Sequence, residues 1–196
     1  MRWLGFLLLV LLVAPGCKEH GSIVPLADDD NSIVQDELVG DWEPADAKQQ
    51  GKTRFHIFKR ERNGYLLNVE NVKEDKTLEL EMVPLVVGKY RFLQLQRKPF
   101  TTKEENAGLL RVCYFARYDV SGDDFYVAFA STGVIKQLME EHDLPMLDSD
   151  NTLLYTGMRE PMLAFLEEHA EELYPKFKES GLLRRITGDD AAGNAP

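Results

Sequence analysis

Acid–base, nucleophilic or metal chemistry needs its groups within reach of one another, so the first question is which such side chains the spacing brings together. The histidines are His20, His56, His142 and His169. No two of them stand in the H-x-x-x-H or H-E-x-x-H arrangement that puts two imidazoles on one helical face for zinc. His142 and His169 each follow acidic residues near the end of a helical stretch, where the helix dipole favours a cation, and they read as structural or surface groups. Asp123 and Asp124 form a carboxylate pair, yet SGDD is explained by turn chemistry alone. Glu104 and Glu105 fall in TTKEENAG, a polar loop. The acidic triplet Asp28, Asp29 and Asp30 lacks the alternation, the glycine and the distal glutamate of a calcium loop. There is no G-x-S-x-G, no CxxC and no phosphate-cradling glycine loop. The expectation is no catalytic residue, no metal ligand and no cofactor, hence no enzyme. Two thiols remain, Cys17 and Cys113.

The surroundings of Cys17 give it a role. Arg2 is followed by an unbroken apolar run over residues 4–13, and Ala14, Pro15 and Gly16 break it just ahead of the cysteine. That order is the charged, apolar and small-residue sequence of a secretory signal. A membrane-spanning helix needs about 20 apolar residues, and this run is roughly half that length. Gly16-Cys17 resembles a bacterial lipobox, whose pattern prefers a small or aliphatic residue where Pro15 stands. The resemblance implies that the thiol takes a diacylglycerol, that residues 1–16 are removed as a lipoprotein signal peptide, and that the freed amine is acylated. Each buried methylene contributes about 0.8 kcal/mol, so two or more acyl chains hold a protein stably on a membrane. The chain is then exported and anchored through Cys17, on the periplasmic face of a bacterial membrane or at the cell surface. Lys18 is not the aspartate that retains many lipoproteins on an inner membrane. The alternative is an ordinary secretory signal that contains a cysteine.

Composition narrows the partners. Without residues 1–16 the chain keeps 22 Lys+Arg against 33 Asp+Glu, a formal charge of −11. Such a balance argues against nucleic acid, which demands a basic face, and against a body lying flat on anionic lipid. The length suits one domain with a substantial core, and 44 % hydrophobic residues place it among folded chains. If Cys17 becomes a thioether, Cys113 has no intramolecular partner. Its setting, LLRVCYFARYDV, is apolar and strand-like, the place of a small buried hydrophobe.

The positioning elements are mostly strands. Residues 17–37 mix Gly, Pro, Ser, Asn and acidic residues without sustained periodicity and read as a solvated tether. LVGDWE is a short strand. RFHIFKRER runs into Asn63-Gly64 and then YLLNVENV, which predicts a hairpin with a type I′ turn and positive φ at both of those residues. Over residues 77–83, Leu78, Leu80 and Met82 alternate with Glu79 and Glu81, giving one wet face. In KYRFLQLQ the apolar phase moves from Tyr90 and Phe92 to Leu93 and Leu95, which predicts a bulge. Val112, Tyr114, Ala116 and Tyr118 then share one side of a strand, and SGDD returns the chain through FYVAFA. From Ser131 the period becomes helical, with Val134, Ile135, Leu138 and Met139 on one stripe and Ser131 or Thr132 as N-cap. After TLLY, Thr156 caps a second helix whose Met162, Phe165, Leu166 and His169 share a face, with Pro161 in its first turn. GLLRRI reads as a last strand and residues 188–196 as a disordered tail.

With LVGDW, NGYLLNV, LLRVCYFARYDVSGDDFYVAF, LLYTGMREPMLAFLEEHA and GLLRR in this order, the chain resembles a family of uncharacterised bacterial lipocalin-like proteins, often lipid-anchored. The resemblance covers about residues 38–185. It implies a mainly β (α+β) domain over residues 38–187, a lipocalin-like antiparallel barrel or curved sheet with two C-terminal helices. Gly40 and Trp42 are similar to the lipocalin G-x-W signature, whose indole plugs one barrel end. The family resemblance also implies a histidine in the strand where this chain has Cys113. Small barrels enclose a cavity that side chains line. The candidate lining is Trp42, Leu78, Leu80, Met82, Phe92, Tyr114 and Tyr118, for a small apolar or amphipathic ligand. The alternative is that these residues fill the core and that the protein is an envelope scaffold or assembly accessory docking another protein.

Overall fold

Each alternating stretch in the middle of the chain becomes a strand, and each strand pairs with the next along the sequence. The structure, a computed structural model, describes residues 19–97, 111–150, 152–179 and 181–187. The signal-like residues 1–16, Cys17, the loop residues Glu104 and Glu105 and the tail expected at 188–196 lie outside the described residues. The strands are β1 (Glu19–Ser22), β2 (Gly40–Pro44), β3 (Thr53–Lys59), β4 (Tyr65–Asn71), β5 (Lys76–Val87), β6 (Tyr90–Arg97), β7 (Cys113–Ser121), β8 (Asp124–Phe129), β9 (Met146–Asp148), β10 (Thr152–Tyr155) and β11 (Leu182–Arg185). The helices are α1 (Thr132–Glu141), α2 (Arg159–Glu168) and α3 (Ala170–Leu173), with 3₁₀ turns at Asp36–Leu38 and Phe177–Glu179.

Strands β2 to β8 pair in sequence order, β11 joins β8 to β2, and every pairing in this ring is antiparallel. The result is a closed eight-stranded up-and-down barrel, the lipocalin-like architecture expected, with its edges paired away. The β5–β6 and β7–β8 connections are two-residue turns with glycine first. Gly88 (φ 57°) and Gly122 (φ 60°) supply the positive φ that such turns place there. Everything between β8 and β11 is an insertion that packs on the outside: α1, the β9–β10 hairpin, α2 and α3. Strand β1 runs parallel to β10 and touches β7 through Ser22 and Cys113.

Among the described residues there are two apolar cores, one on each side of the sheet. The inner one fills the barrel with Trp42, Phe55, Ile57, Tyr65, Leu80, Met82, Leu93, Leu95, Tyr118 and Phe125 among others. The outer one lies between the barrel wall and the insertion, where Leu85, Val87, Phe92, Cys113 and Phe115 meet Ile135, Leu138, Met162, Phe165 and Leu166. Strands β6 and β7 therefore bury both faces. This replaces the bulge expected at residues 92–93: β5–β6 pairing runs without a break from Leu80↔Arg97 to Val87↔Tyr90. The apolar phase does not slip there, because neighbouring residues serve different cores.

Residues 19–37 are not a solvated tether. Leu26 is fully buried, its N–H and that of Ala27 donate to Oε1 of buried Gln94 at 2.7 and 3.0 Å, and its carbonyl accepts from Asn31 and from Arg159. Burying a leucine stabilises by about 1.5–3 kcal/mol, which a solvated segment forgoes. The apolar residues here follow no period because irregular backbone carries them, and side-chain hydrogen bonds hold it in place of a ladder.

Three local expectations change. The hairpin at Asn63-Gly64 forms, but positive φ falls on Arg62 (60°) within a longer loop. Thr156 does not cap α2, which starts one residue after Met158. The second helix is divided at His169 into α2 and α3, so the insertion carries three short helices. Among the described residues, no helix is long and apolar enough to cross a membrane.

His20 in β1 faces Thr132 at the start of α1, Nδ1 to Oγ1 3.1 Å, and burial pushes its pKa down to about 4. The unfolded imidazole takes a proton near pH 6.5 while the folded one stays neutral, so stability falls as pH drops from about 6.5 to about 4. The expected loss is at most about 3 kcal/mol. Denaturant melts of wild type and His20→Asn across that window check it: the difference between them should shrink with acid, and parallel curves would refute the assignment.

Candidate functional site

The two ends of the barrel are built differently. At one end the chain preceding β2 crosses the opening. The Trp42 indole N–H donates to the Leu38 carbonyl at 2.9 Å, and its ring meets Phe125 edge-on at 5.4 Å. The Arg185 guanidinium, from the end of β11, lies 4.2 Å from the Trp42 ring centroid and donates to the carbonyls of Val39 and Glu37 at 2.7 and 2.8 Å. Gly40 sits at φ 135°, and a Cβ there would meet the Arg185 Nη1 atom. Both members of the G-x-W pair thus have a physical role, glycine as room for the arginine and tryptophan as the plug. The strap is fixed further by Tyr65 Oη accepting from the Gln35 N–H at 2.8 Å, by a Lys59–Asp36 ion pair, and by a bridge between Ser32 and Leu85.

At the other end, half-buried Val69, Leu78 and Val112 pack against the inner core from the rim. Tyr114 donates its hydroxyl to Glu19 at 2.6 Å, and Glu19 also pairs with Arg97 at 3.2 Å. Burial and the bond to the Glu19 carboxylate both raise the Tyr114 pKa. Between the ends, the Tyr118 hydroxyl is buried with no hydrogen-bond partner among the described residues, and burial raises its pKa as well.

Of the expected lining residues, Trp42, Leu80, Met82, Tyr114 and Tyr118 face the barrel interior and Leu78 sits at its rim. Phe92 does not. It belongs to the outer core, where its ring meets Tyr174 at 5.8 Å. Reading β6 as a strand with one apolar face assigned Phe92 to the wrong side. Phe55, Ile57, Tyr65, Leu93, Leu95 and Phe125 also face inward. The alternation of Phe55 and Ile57 with Arg54 and His56 was the available signal for the first two.

The remaining reactive groups are mostly accounted for by structure. Cys113 is free and buried, and burial pushes its thiol up to about 11, the setting of an inert hydrophobe. Asp123, in the β7–β8 turn, and Asp124, the first residue of β8, ion-pair with Arg185 and Arg184 respectively. His56 stands on the outer side of the barrel between Asp41 at 2.8 Å and Glu70 at 3.3 Å. Asp28, from the acidic triplet, pairs with Arg159 at 2.6 Å.

His142 and His169 are a different matter, because spacing had kept them apart and the fold brings them together. They cap the C-termini of α1 and α2 in the same backbone conformation, and their ring centroids lie 4.4 Å apart. The tripeptide Glu-Glu-His occurs at both places, residues 140–142 and 167–169. That repeat was the one signal in the sequence.

Compared by sequence and by structure, the chain matches no family model, no curated protein and no solved structure.

Replacing Arg185 with Leu removes the stacked guanidinium and its two carbonyl bonds, and the expected destabilisation is about 2–4 kcal/mol. Trp3 and Trp42 are the tryptophans of the chain, so without residues 1–16 the intrinsic emission reports Trp42 alone. The emission should shift to the red in Arg185→Leu. An unchanged melt and spectrum would show that the arginine does not hold the plug.

Proposed function

We propose that this chain is an exported lipoprotein of the lipocalin-like kind, anchored through Cys17, whose barrel takes a small apolar or amphipathic ligand through the end opposite Trp42. The observation carrying this reading is the difference between the two ends. One is stopped by an indole, a guanidinium and a strap of chain, while the other offers half-buried Val69, Leu78 and Val112 beside the Tyr114 hydroxyl. An apolar rim favours an apolar guest. The Tyr118 hydroxyl, buried without a partner, adds to this, because an unmade hydrogen bond in an apolar interior costs about 1–3 kcal/mol. The polar group of an amphipathic ligand, or a water held by it, would offset that cost.

One observation favours the second reading, a filled core in an envelope scaffold or accessory protein. The inward-facing Trp42, Leu80, Met82, Tyr114 and Tyr118 are all 5 % exposed or less. Titration with a fluorescent fatty acid separates the two. On the carrier reading the probe binds, unlabelled fatty acid displaces it, and Leu78→Arg at the rim lowers affinity about tenfold or more while the melting temperature stays near wild type. If wild type binds neither the probe nor any lipid on extraction from native membranes, and a stoichiometric protein co-purifies, the filled core is correct.

The anchor has its own test. Cys17→Ser should move the protein from the membrane to the soluble fraction. Mass spectrometry of the wild-type amino terminus should find an acylated cysteine as its first residue. A Ser variant that fractionates fully with membranes, or a mature chain with an unmodified thiol, would end the lipoprotein reading.

A further inference from the structure

We propose that His142, His169 and Glu168 form a binding site for a divalent transition-metal ion of the zinc class, where the C-termini of α1 and α2 converge. One ligand atom from each of the three lies within 4.8 Å of the other two. Zinc holds imidazole nitrogen and carboxylate oxygen at about 2.0–2.2 Å, which sets tetrahedral ligand atoms about 3.3–3.6 Å apart. His142 and Glu168 are exposed, so small torsional changes of these two side chains close the gap around the less mobile His169.

His169 carries the argument for a ligand. Its Nε2 atom is buried and has no hydrogen-bond partner among the described residues, with the nearest Glu168 carboxylate oxygen at 3.9 Å. Its Nδ1 atom faces a Glu172 carboxylate oxygen at 3.5 Å. A carboxylate on one ring nitrogen and an unfilled position at the other is the outer-shell arrangement that fixes a metal-binding imidazole. The Phe165 ring packs against both imidazoles, at 6.1 and 5.1 Å between centroids, and limits their rotation.

The local field also favours a cation. The C-terminus of α1, carrying roughly half a negative charge, ends here, and neither its last turn nor that of α2 contains a basic residue. Among the described residues, the ion pairs of Glu168 and Glu172 are with His169 alone. Lys136 is engaged with Glu140 and Asp148, and Arg117 with Glu171. Two imidazoles and a carboxylate form a zinc ligand set that leaves a fourth position open to water. The ion would tie the end of α1 to the junction of α2 and α3 across the outer core.

Isothermal titration of the tag-free, chelator-treated chain with zinc chloride at pH 7.5 tests this. Expected are one zinc per chain with micromolar or tighter affinity and a rise in melting temperature. Cobalt(II) in place of zinc should show the visible absorption of a tetrahedral centre. His142→Asn, at an exposed position, and Glu168→Gln should each weaken binding about tenfold or more, with His56→Asn unchanged. Absence of binding at 100 µM zinc, or binding that His142→Asn leaves intact, overturns the proposal. So does a melting temperature that responds to acid through these histidines but not to metal, which would make them a protonation-sensitive contact instead.

Discussion

Strands β6 and β7 bury both faces, and the remainder of the molecule is arranged around that constraint. Leu93 and Leu95 point into the barrel while Phe92 and Gln94 point beneath the insertion. A wall that is apolar on both sides cannot face water, so helices must cover it, much as helices cover a parallel sheet. Polar groups on the covered side must be paired. Gln94 receives the N–H groups of Leu26 and Ala27, and Arg117 lies between the rings of Tyr90 and Phe177 while pairing with Glu171. The Arg117 guanidinium in turn holds the Glu171 carboxyl below its usual range.

The same constraint gives the N-terminal segment its place. Once Leu26 is docked against β6, the following residues are led past β5, β4 and β3 before β2 begins, and they cross one mouth of the barrel on the way. Trp42 and Arg185 then secure the crossing from inside and outside. The closed end is therefore a consequence of one docking event, while the opposite rim, with Val69, Leu78 and Val112, takes no part in it. The attachment expected at Cys17 would leave only a short spacer, since β1 begins at Glu19. The barrel would then sit close to the surface that holds it.

The insertion between β8 and β11 shows how packing can create chemistry that spacing conceals. α1 and α2 are each placed by a buried stripe, Ile135, Leu138 and Met139 in one and Met162, Phe165 and Leu166 in the other. Neither stripe includes both histidines. Packing the two stripes onto the same wall makes the helix ends converge, and the imidazoles meet as a result. Carboxylates around them and the C-terminal end of the α1 dipole make the local potential negative.

What the sequence determined by itself was local. Alternation marked most of the barrel strands, SGDD with Gly122 marked the β7–β8 turn, and 3.6-residue stripes located α1 and α2, because each of these signals is written in neighbouring residues. Tertiary structure decided whatever depended on two distant segments meeting. It assigned Phe92 to the outer core, turned an apparent tether into a strap, left the Tyr118 hydroxyl without a partner and put His142 beside His169. The physical reason is that a periodic pattern states which residues share a face but not what that face will meet. Only closure of the barrel and docking of the insertion supply the second surface.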